Sequence, residues 1–347
     1  MAFLLCSIGL SSRGESKPYK GAEYRTIQSF HFGRFEVRWK SAPGSGLLSS
    51  FFTFHDSFNP IAEWNEIDFE NLGRYSNQTQ YNVITPGQVQ HVRADTLPFN
   101  PHQAFHEYAI EWTPDYVAWF VDGYETHRQT GPHIQQLIHG QKNMMNIWIS
   151  DNTSWVGPFN PAILPVYAYY DWVKYYSYTP ETSSHFTLQW VDSLEAWDAS
   201  RWQKASHTWN GNLVDFTPEN VVFRDGYLIL CLTLPGALGY NGGPVIDQDV
   251  DPPYMVWARS YPDKLFLFFS EPVDSVSAQN LNNYILPGFS VTGAKLLNDG
   301  RTVRLTVPGI DLNLTLNLLA KDIADLASPP NVMSLSSIKV IPPLPVP

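Results

Sequence analysis

Apolar and polar residues alternate along much of this chain with a period of two. In FGRFEVRWK (32–40), AFHEYAIEW (104–112), DYVAWFVDG (115–123) and YAYYDWVKYYSY (167–178), β-branched and aromatic residues recur between Gly, Pro, Asn and Asp. That pattern predicts short strands joined by turns. In YVAWFVDGYETHR two such stretches flank Asp122-Gly123, a strong hairpin-turn dipeptide. No long amphipathic helix is visible; only Pro132 to Gly140 reads as a helical turn. The fold class is all-β.

Two breaks in the pattern suggest an organisation. TPETSS (179–184) is polar, contains Pro and reads as a linker, and GYNGGPVIDQDVDPPY (239–254) is a second zone of turn residues. Beyond it, residues 254–340 hold one Trp and repeat short strand–turn units such as KLFLFFS, GRTVRLTV and NLTLNLL. This spacing suggests a small immunoglobulin-like sandwich over 253–342.

Composition narrows the function. The 347 residues include 12 Trp, 18 Tyr and 20 Phe. Aromatic residues pack well on pleated surfaces, and they also stack on the apolar faces of pyranose rings; composition favours the first reading. The net charge is −11 with no basic run, which argues against nucleic acid and anionic membranes and suits a neutral substrate. No stretch approaches 18 uninterrupted apolar residues. Cys6 and Cys231 are too few and too far apart to define a disulfide framework or a zinc site.

The segment EWNEIDFENLG (63–73) carries the chemistry. On a strand, Glu66, Asp68 and Glu70 point one way and Ile67 and Phe69 the other. Like charges crowded on one face raise each other's pKa, so a purely structural strand has little reason to hold them. Glycoside cleavage needs this arrangement: one carboxylate to attack the anomeric carbon, and a second, still protonated, to donate to the leaving oxygen. Four residues along a strand span about 13 Å. Glutamate side chains leaning inward on a curved sheet can close this to about 5.5 Å, the separation of a retaining enzyme. A divalent-metal site and a solvated acidic face are the alternative readings of the spacing.

Residues 19–178 resemble glycoside hydrolase family 16, most closely its bacterial lichenase branch. The matching pieces are KGAEYRTIQSFHFGRFEVRWKSAPGSGLLSSFFTF, EWNEIDFENLG, TQYNVITPGQ, AFHEYAIEWTPDYVAWFVDG, KNMMNIWIS, TSWVGPF and YDWVKYY. The resemblance implies a concanavalin-like jelly-roll sandwich, with Glu66 as nucleophile, Asp68 as its assisting acid and Glu70 as acid/base. It suggests Glu23, Arg25, Trp64, Asn82, Trp148 and Trp155 as substrate-binding residues; core packing is the alternative for each Trp. Laminarinases usually carry an extra residue before the last Glu of the motif, and this sequence lacks it.

Family members begin with a segment whose counterpart here, residues 186–230, follows the catalytic part. The chain therefore reads as circularly permuted, with a catalytic unit over 1–245 built from 19–178 and 185–245. Asn210 then matches a cleft residue. The start, MAFLLCSIGLSS, resembles a signal-peptide core without a basic region, but its echo in GYLILCLTLPG (226–236) favours a strand. Phe216 and Gly21 stand where the lichenase disulfide would be, and Ile84 replaces a cleft Tyr. Asp171 and the carbonyl of Gly226 match a structural calcium site, the one ion the resemblance implies, with a plain surface strand residue as the alternative for Asp171; catalysis needs no cofactor. The expected protein is a secreted or cell-surface bacterial enzyme, monomeric, cutting mixed-linkage β-1,3-1,4-glucan with retention. Laminarin or xyloglucan as substrate, or non-catalytic carbohydrate binding, are the alternatives. The C-terminal module resembles bacterial Ig-like domains, usually spacers or adhesion units.

Overall fold

A computed structural model describes residues 16–56 and 60–343. The strand-or-signal question at residues 1–12, and Cys6 with it, falls outside them. The chain divides into two compact units, Met1–Gln248 and Asp249–Pro347.

The first unit contains two eight-stranded sheets. One runs in the order Trp202–Lys204, Tyr19–Thr26, Lys142–Ile149, Leu47–Phe54, Glu66–Leu72, Gln78–Ile84, Arg93–Thr96, and Val214–Phe216 joins it beside Tyr19–Thr26. The other runs Val221–Arg224, Tyr227–Leu232, Val166–Tyr178, Gly33–Lys40, His106–Trp112, Tyr116–Val121, Tyr124–Thr130, with Phe186–Asp192 also paired to Val166–Tyr178. Between the sheets lies an aromatic core. Tyr108 contacts Trp39 at 4.9 Å and Phe69 at 5.1 Å between ring centroids. Trp39, Phe69 and Tyr108 are essentially inaccessible to solvent, and each such ring contributes roughly 1.5–3 kcal/mol by burial. Polar ties across this core include the Trp119 indole, which donates to the Asp68 carbonyl at 2.8 Å, the Tyr170 hydroxyl to the Ser50 carbonyl at 3.0 Å, and the Tyr81 hydroxyl to Thr126 Oγ1 at 2.9 Å. The first holds the backbone of the acidic strand in register.

The Asp122-Gly123 turn forms as expected, with φ of 49° and 83°, between Tyr116–Val121 and Tyr124–Thr130. The 132–140 segment supplies one short turn of 3₁₀ helix, Ile134–Gln136. TPETSS is a hairpin loop and not a linker. Its flanking strands pair directly, Tyr178 opposite Phe186, and Thr179 N–H donates to the His185 carbonyl at 2.8 Å. Local composition marked a turn there; strand pairing decides that the chain doubles back. Residues beyond that hairpin supply edge strands to both sheets. Tyr24 faces Lys204, Gly21 faces Phe216, and Leu228–Leu232 pair with Val166–Tyr170. A Cβ on Gly21 would come within 3.3 Å of the Phe216 ring, so a small residue and a large one share this position.

The second unit is one continuous path of seven strands: Tyr284–Ile285, Leu316–Ala320, Ser336–Ile341, Met255–Tyr261, Lys264–Phe269, Thr302–Thr306, Gly293–Leu296. The expectation was two facing sheets. The parallel pairing of Met255–Tyr261 with Ser336–Ile341 joins the halves into a single ladder. It encloses a core that includes Leu265, Leu267, Phe269, Val303, Leu305 and Leu318.

Candidate active site

The strand Glu66–Leu72 alternates as its sequence demands. Ile67 and Phe69 are fully buried in the core, so Glu66, Asp68 and Glu70 share the opposite face. Register sets what surrounds them. Glu66 lies between Phe54 and Ile84, Asp68 between Phe52 and Asn82, and Glu70 between Ser50 and Gln80. One strand further on, Asn146 is paired with Ser50, and beyond it Glu23 is paired with Asn146.

The three acids differ in their partners, and this separates their chemistry. Burial raises all three pKa values. Glu66 rises to about 7, held down by the Trp64 indole N–H, which donates to Oε2 at 2.6 Å, and by a hydrogen bond from Asp68. Asp68 is pushed far up by burial and by the charges of Glu66 and Glu70, so it keeps its proton and shares it with Glu66. Glu70 rises to about 8 through burial and then the charge of Glu66. Two donors therefore favour the carboxylate form at Glu66, whereas burial and the charge of Glu66 favour the protonated form at Glu70, an asymmetry that suits a nucleophile paired with an acid.

The cleft floor beside the acids carries unused hydrogen-bonding capacity. Glu23 Oε1, Arg25 Nε and Asn146 Oδ1 are buried without a hydrogen-bond partner. Buried polar groups are costly unless paired, so a cluster of them facing a cleft marks a place for a polar ligand. Burial raises the Glu23 pKa, opposed by His207 and Arg25. The His207 imidazole lies 3.9 Å from Glu23 Oε1 and Arg25 Nε lies 3.7 Å from it.

The indole of Trp155 donates to Gln80 Oε1 at 2.9 Å, which ties it to the residue opposite Glu70. Trp148 contacts Trp155 at 6.0 Å and Trp209 at 5.0 Å. Asn210 follows Trp209 in an exposed turn, where Gly211 O accepts from Asp151 N–H. Asn82 faces the cleft opposite Asp68, but its amide is committed: Nδ2 donates to Val89 O and Oδ1 accepts from His91 N–H. Its immediate work is to hold the 85–91 loop. Asn146, Gln80, His207 and Trp209 escaped the sequence reading. For Gln80 the only available signal was its position two residues from Asn82; Asn146, His207 and Trp209 are brought in by register and by the late segment.

The residues matched to calcium lie on the other sheet. Asp171 Oδ2 accepts from Arg38 Nη1 at 2.7 Å, and Arg38 also pairs with both oxygens of Asp247, at 2.7 and 2.9 Å. Gly226 sits in the turn before Tyr227–Leu232 with φ of 87°. A guanidinium already neutralises Asp171 and would repel a divalent cation beside it. The donor set as arranged does not fit calcium.

A strand of paired carboxylates across the face of a β-sandwich, with aromatic walls and orphaned polar groups beside it, defines a glycoside hydrolase. Residues 8–174 match the family described as glycosyl hydrolases family 16. A beta-glucanase of Fibrobacter succinogenes is 38% identical over 261 residues, 73% of this chain and 74% of the relative. A beta-glucanase of Paenibacillus macerans is 39% identical over 173 residues, 49% of this chain and 70% of the relative. Among solved structures, a prokaryotic beta-1,3-1,4-glucanase (lichenase) from a mouse hindgut metagenome is 38% identical, covering 48% of this chain and 75% of that one, with a TM-score of 0.43. The chain belongs to glycosyl hydrolases family 16.

Proposed function

We propose that the protein is an endo-acting β-glucanase that cleaves mixed-linkage β-1,3-1,4-glucan with retention of configuration. The observation that carries this reading is the unequal environment of Glu66 and Glu70 on one strand. Glu66, stabilised as an anion by Trp64 and Asp68, attacks the anomeric carbon as Glu70 gives its proton to the departing glycosidic oxygen. A glycosyl ester on Glu66 results. Glu70, now anionic, takes a proton from water, which attacks the same carbon and releases Glu66. The chain order is best read as a circular permutation. Residues 186–232 add strands to Tyr19–Thr26 in one sheet and to Val166–Tyr178 in the other, with Thr233 bridged to Lys20, and the match to the Fibrobacter protein runs well beyond the length of the Paenibacillus match. We read the second unit as an Ig-like module. Because a polymeric glucan cannot cross a membrane, we read the enzyme as one that works outside the cell.

Ile84, opposite Glu66 and nearly buried, lines the cleft without a hydrogen-bonding group, so substrate choice needs a direct test. Barley β-glucan, laminarin and xyloglucan are digested side by side and the products separated. Oligosaccharides released from barley glucan, and lost in Glu66→Gln, support the reading. Rapid cleavage of laminarin with barley glucan left intact overturns the linkage, and no release from any of them overturns the activity.

A further inference from the structure

The second unit carries seven Lys and Arg against nine Asp and Glu, yet the two signs are segregated. Ala258, Ser260, Leu265, Leu267 and Phe269 point into the core, which turns their strand neighbours outward. On that outer face stand Trp257, Tyr261, Phe266 and Phe268, all partly exposed. Trp257 is the register partner of Phe268, with rings 5.4 Å apart and 6° from parallel, and Tyr261 meets Phe266 edge-on at 5.6 Å. Five of the unit's seven cations share the face: Arg259 and Lys264 on the same two strands, Arg304 opposite Phe266, Lys295 opposite Arg304, and Lys339 two residues before the partner of Arg259. None of the nine acids lies on the strands that build it. Among the described residues none of the five cations is paired with a carboxylate. The Arg259 guanidinium sits 5.9 Å from the Trp257 ring, and its Nε is buried without a hydrogen-bond partner. Trp257, Arg259, Tyr261, Lys264 and Phe266 line an open depression of about 620 Å³, within the usual range of ligand sites.

An apolar platform alone would suit many partners. A platform whose strands carry five unpaired cations and no acid, with Asp263 confined to the joining turn, in a chain of net charge −11, selects a partner that combines flat apolar faces with negative charge. Covalent attachment to a family 16 catalytic unit brings this face to polysaccharide. We propose that the outer face of Met255–Tyr261 and Lys264–Phe269 binds an acidic polysaccharide rich in uronic acids. Its sugar rings stack on Trp257 and Tyr261, and its carboxylates meet Arg259, Lys264 and Arg304. The site rests on family membership and not on which glucan the cleft cuts.

Affinity electrophoresis of the full chain tests this, in a Glu66→Gln background so that glucan is not consumed. The gels contain polygalacturonate, barley β-glucan or single-stranded oligodeoxythymidylate; flotation with phosphatidylcholine–phosphatidylserine vesicles covers membranes. Expected is retardation by polygalacturonate that weakens with salt and falls at least tenfold in Trp257→Ala and in Arg259→Gln/Arg304→Gln. Trp257→Phe, which keeps a ring, retains most of it. Each substitution, returned to the active chain, leaves hydrolysis of soluble barley glucan unchanged. No retardation by polygalacturonate, equal retardation of the variants, or stronger binding to the oligonucleotide or vesicles overturns the proposal. So does retardation by barley glucan that Trp257→Ala abolishes, which would make the face a neutral-glucan site. The cleft reading survives all of these results.

Discussion

Trp64 and Glu66 show how one side chain sets the chemistry of another. The indole N–H donates to the carboxylate at 2.6 Å and opposes the rise that burial imposes on its pKa. Trp64→Phe keeps the ring and removes the donor. A hydrogen bond to a charged group contributes about 1.5–3 kcal/mol, so kcat/KM is expected to fall by roughly 10- to 100-fold. The acidic limb of its pH profile should move to higher pH, because Glu66 then holds its proton more tightly. A limb that stays in place would show that Trp64 acts only by packing. Glu70 supports a second expectation, about stability. Its pKa in the fold, about 8, lies above its ordinary 4.5. Its contribution to stability is therefore present below pH 4.5 and lost as pH rises through 8. Glu70→Gln should raise Tm little at pH 4 and progressively more toward pH 9, by about 2–4 °C for each kcal/mol relieved. A pH-independent shift in thermal melts would refute this. These three acids were legible because they sit at i, i+2 and i+4 of one strand, where alternation alone assigns the face. Asn146 was not, since only its pairing with Ser50 and Glu23 brings it to the cleft.

At the scale of elements, alternation predicted strands well wherever one face is buried and the other wet, as in Gly33–Lys40, whose burial alternates at every residue. It failed at TPETSS, where a polar loop looks the same whether it joins two domains or two paired strands. It was also silent on Arg38, which sits on that well-predicted strand and whose partners Asp171 and Asp247 are far away in sequence. This clamp ties Gly33–Lys40 to Val166–Tyr178 and to the segment leading out of the first unit, and it stands where calcium was expected. Chelation with EDTA should leave Tm unchanged, whereas Arg38→Ala should lower it by several degrees, because two carboxylates then lose their shared counter-charge. Calorimetry with and without chelator decides the matter; a larger drop from EDTA than from Arg38→Ala would restore the metal.

At the scale of the molecule, the first unit is completed by residues that lie some 200 positions from the strand they pair with. Gly21 meets Phe216, and His207 approaches Glu23. Such contacts carry no local pattern. Read as a displaced N-terminal segment, 186–230 offers Asn210 as the cleft residue. The structure shows that Trp209, one residue earlier, makes the contact with Trp148. The central claim is that Glu66 and Glu70 act as nucleophile and acid/base on a β-glucan. Proton NMR of the anomeric region in the first minutes of barley β-glucan digestion tests it most directly. The claim predicts that β-anomeric reducing ends appear first and mutarotate to the mixture. Initial release of α-anomers would mean that water attacks directly and that Glu66 is not the nucleophile.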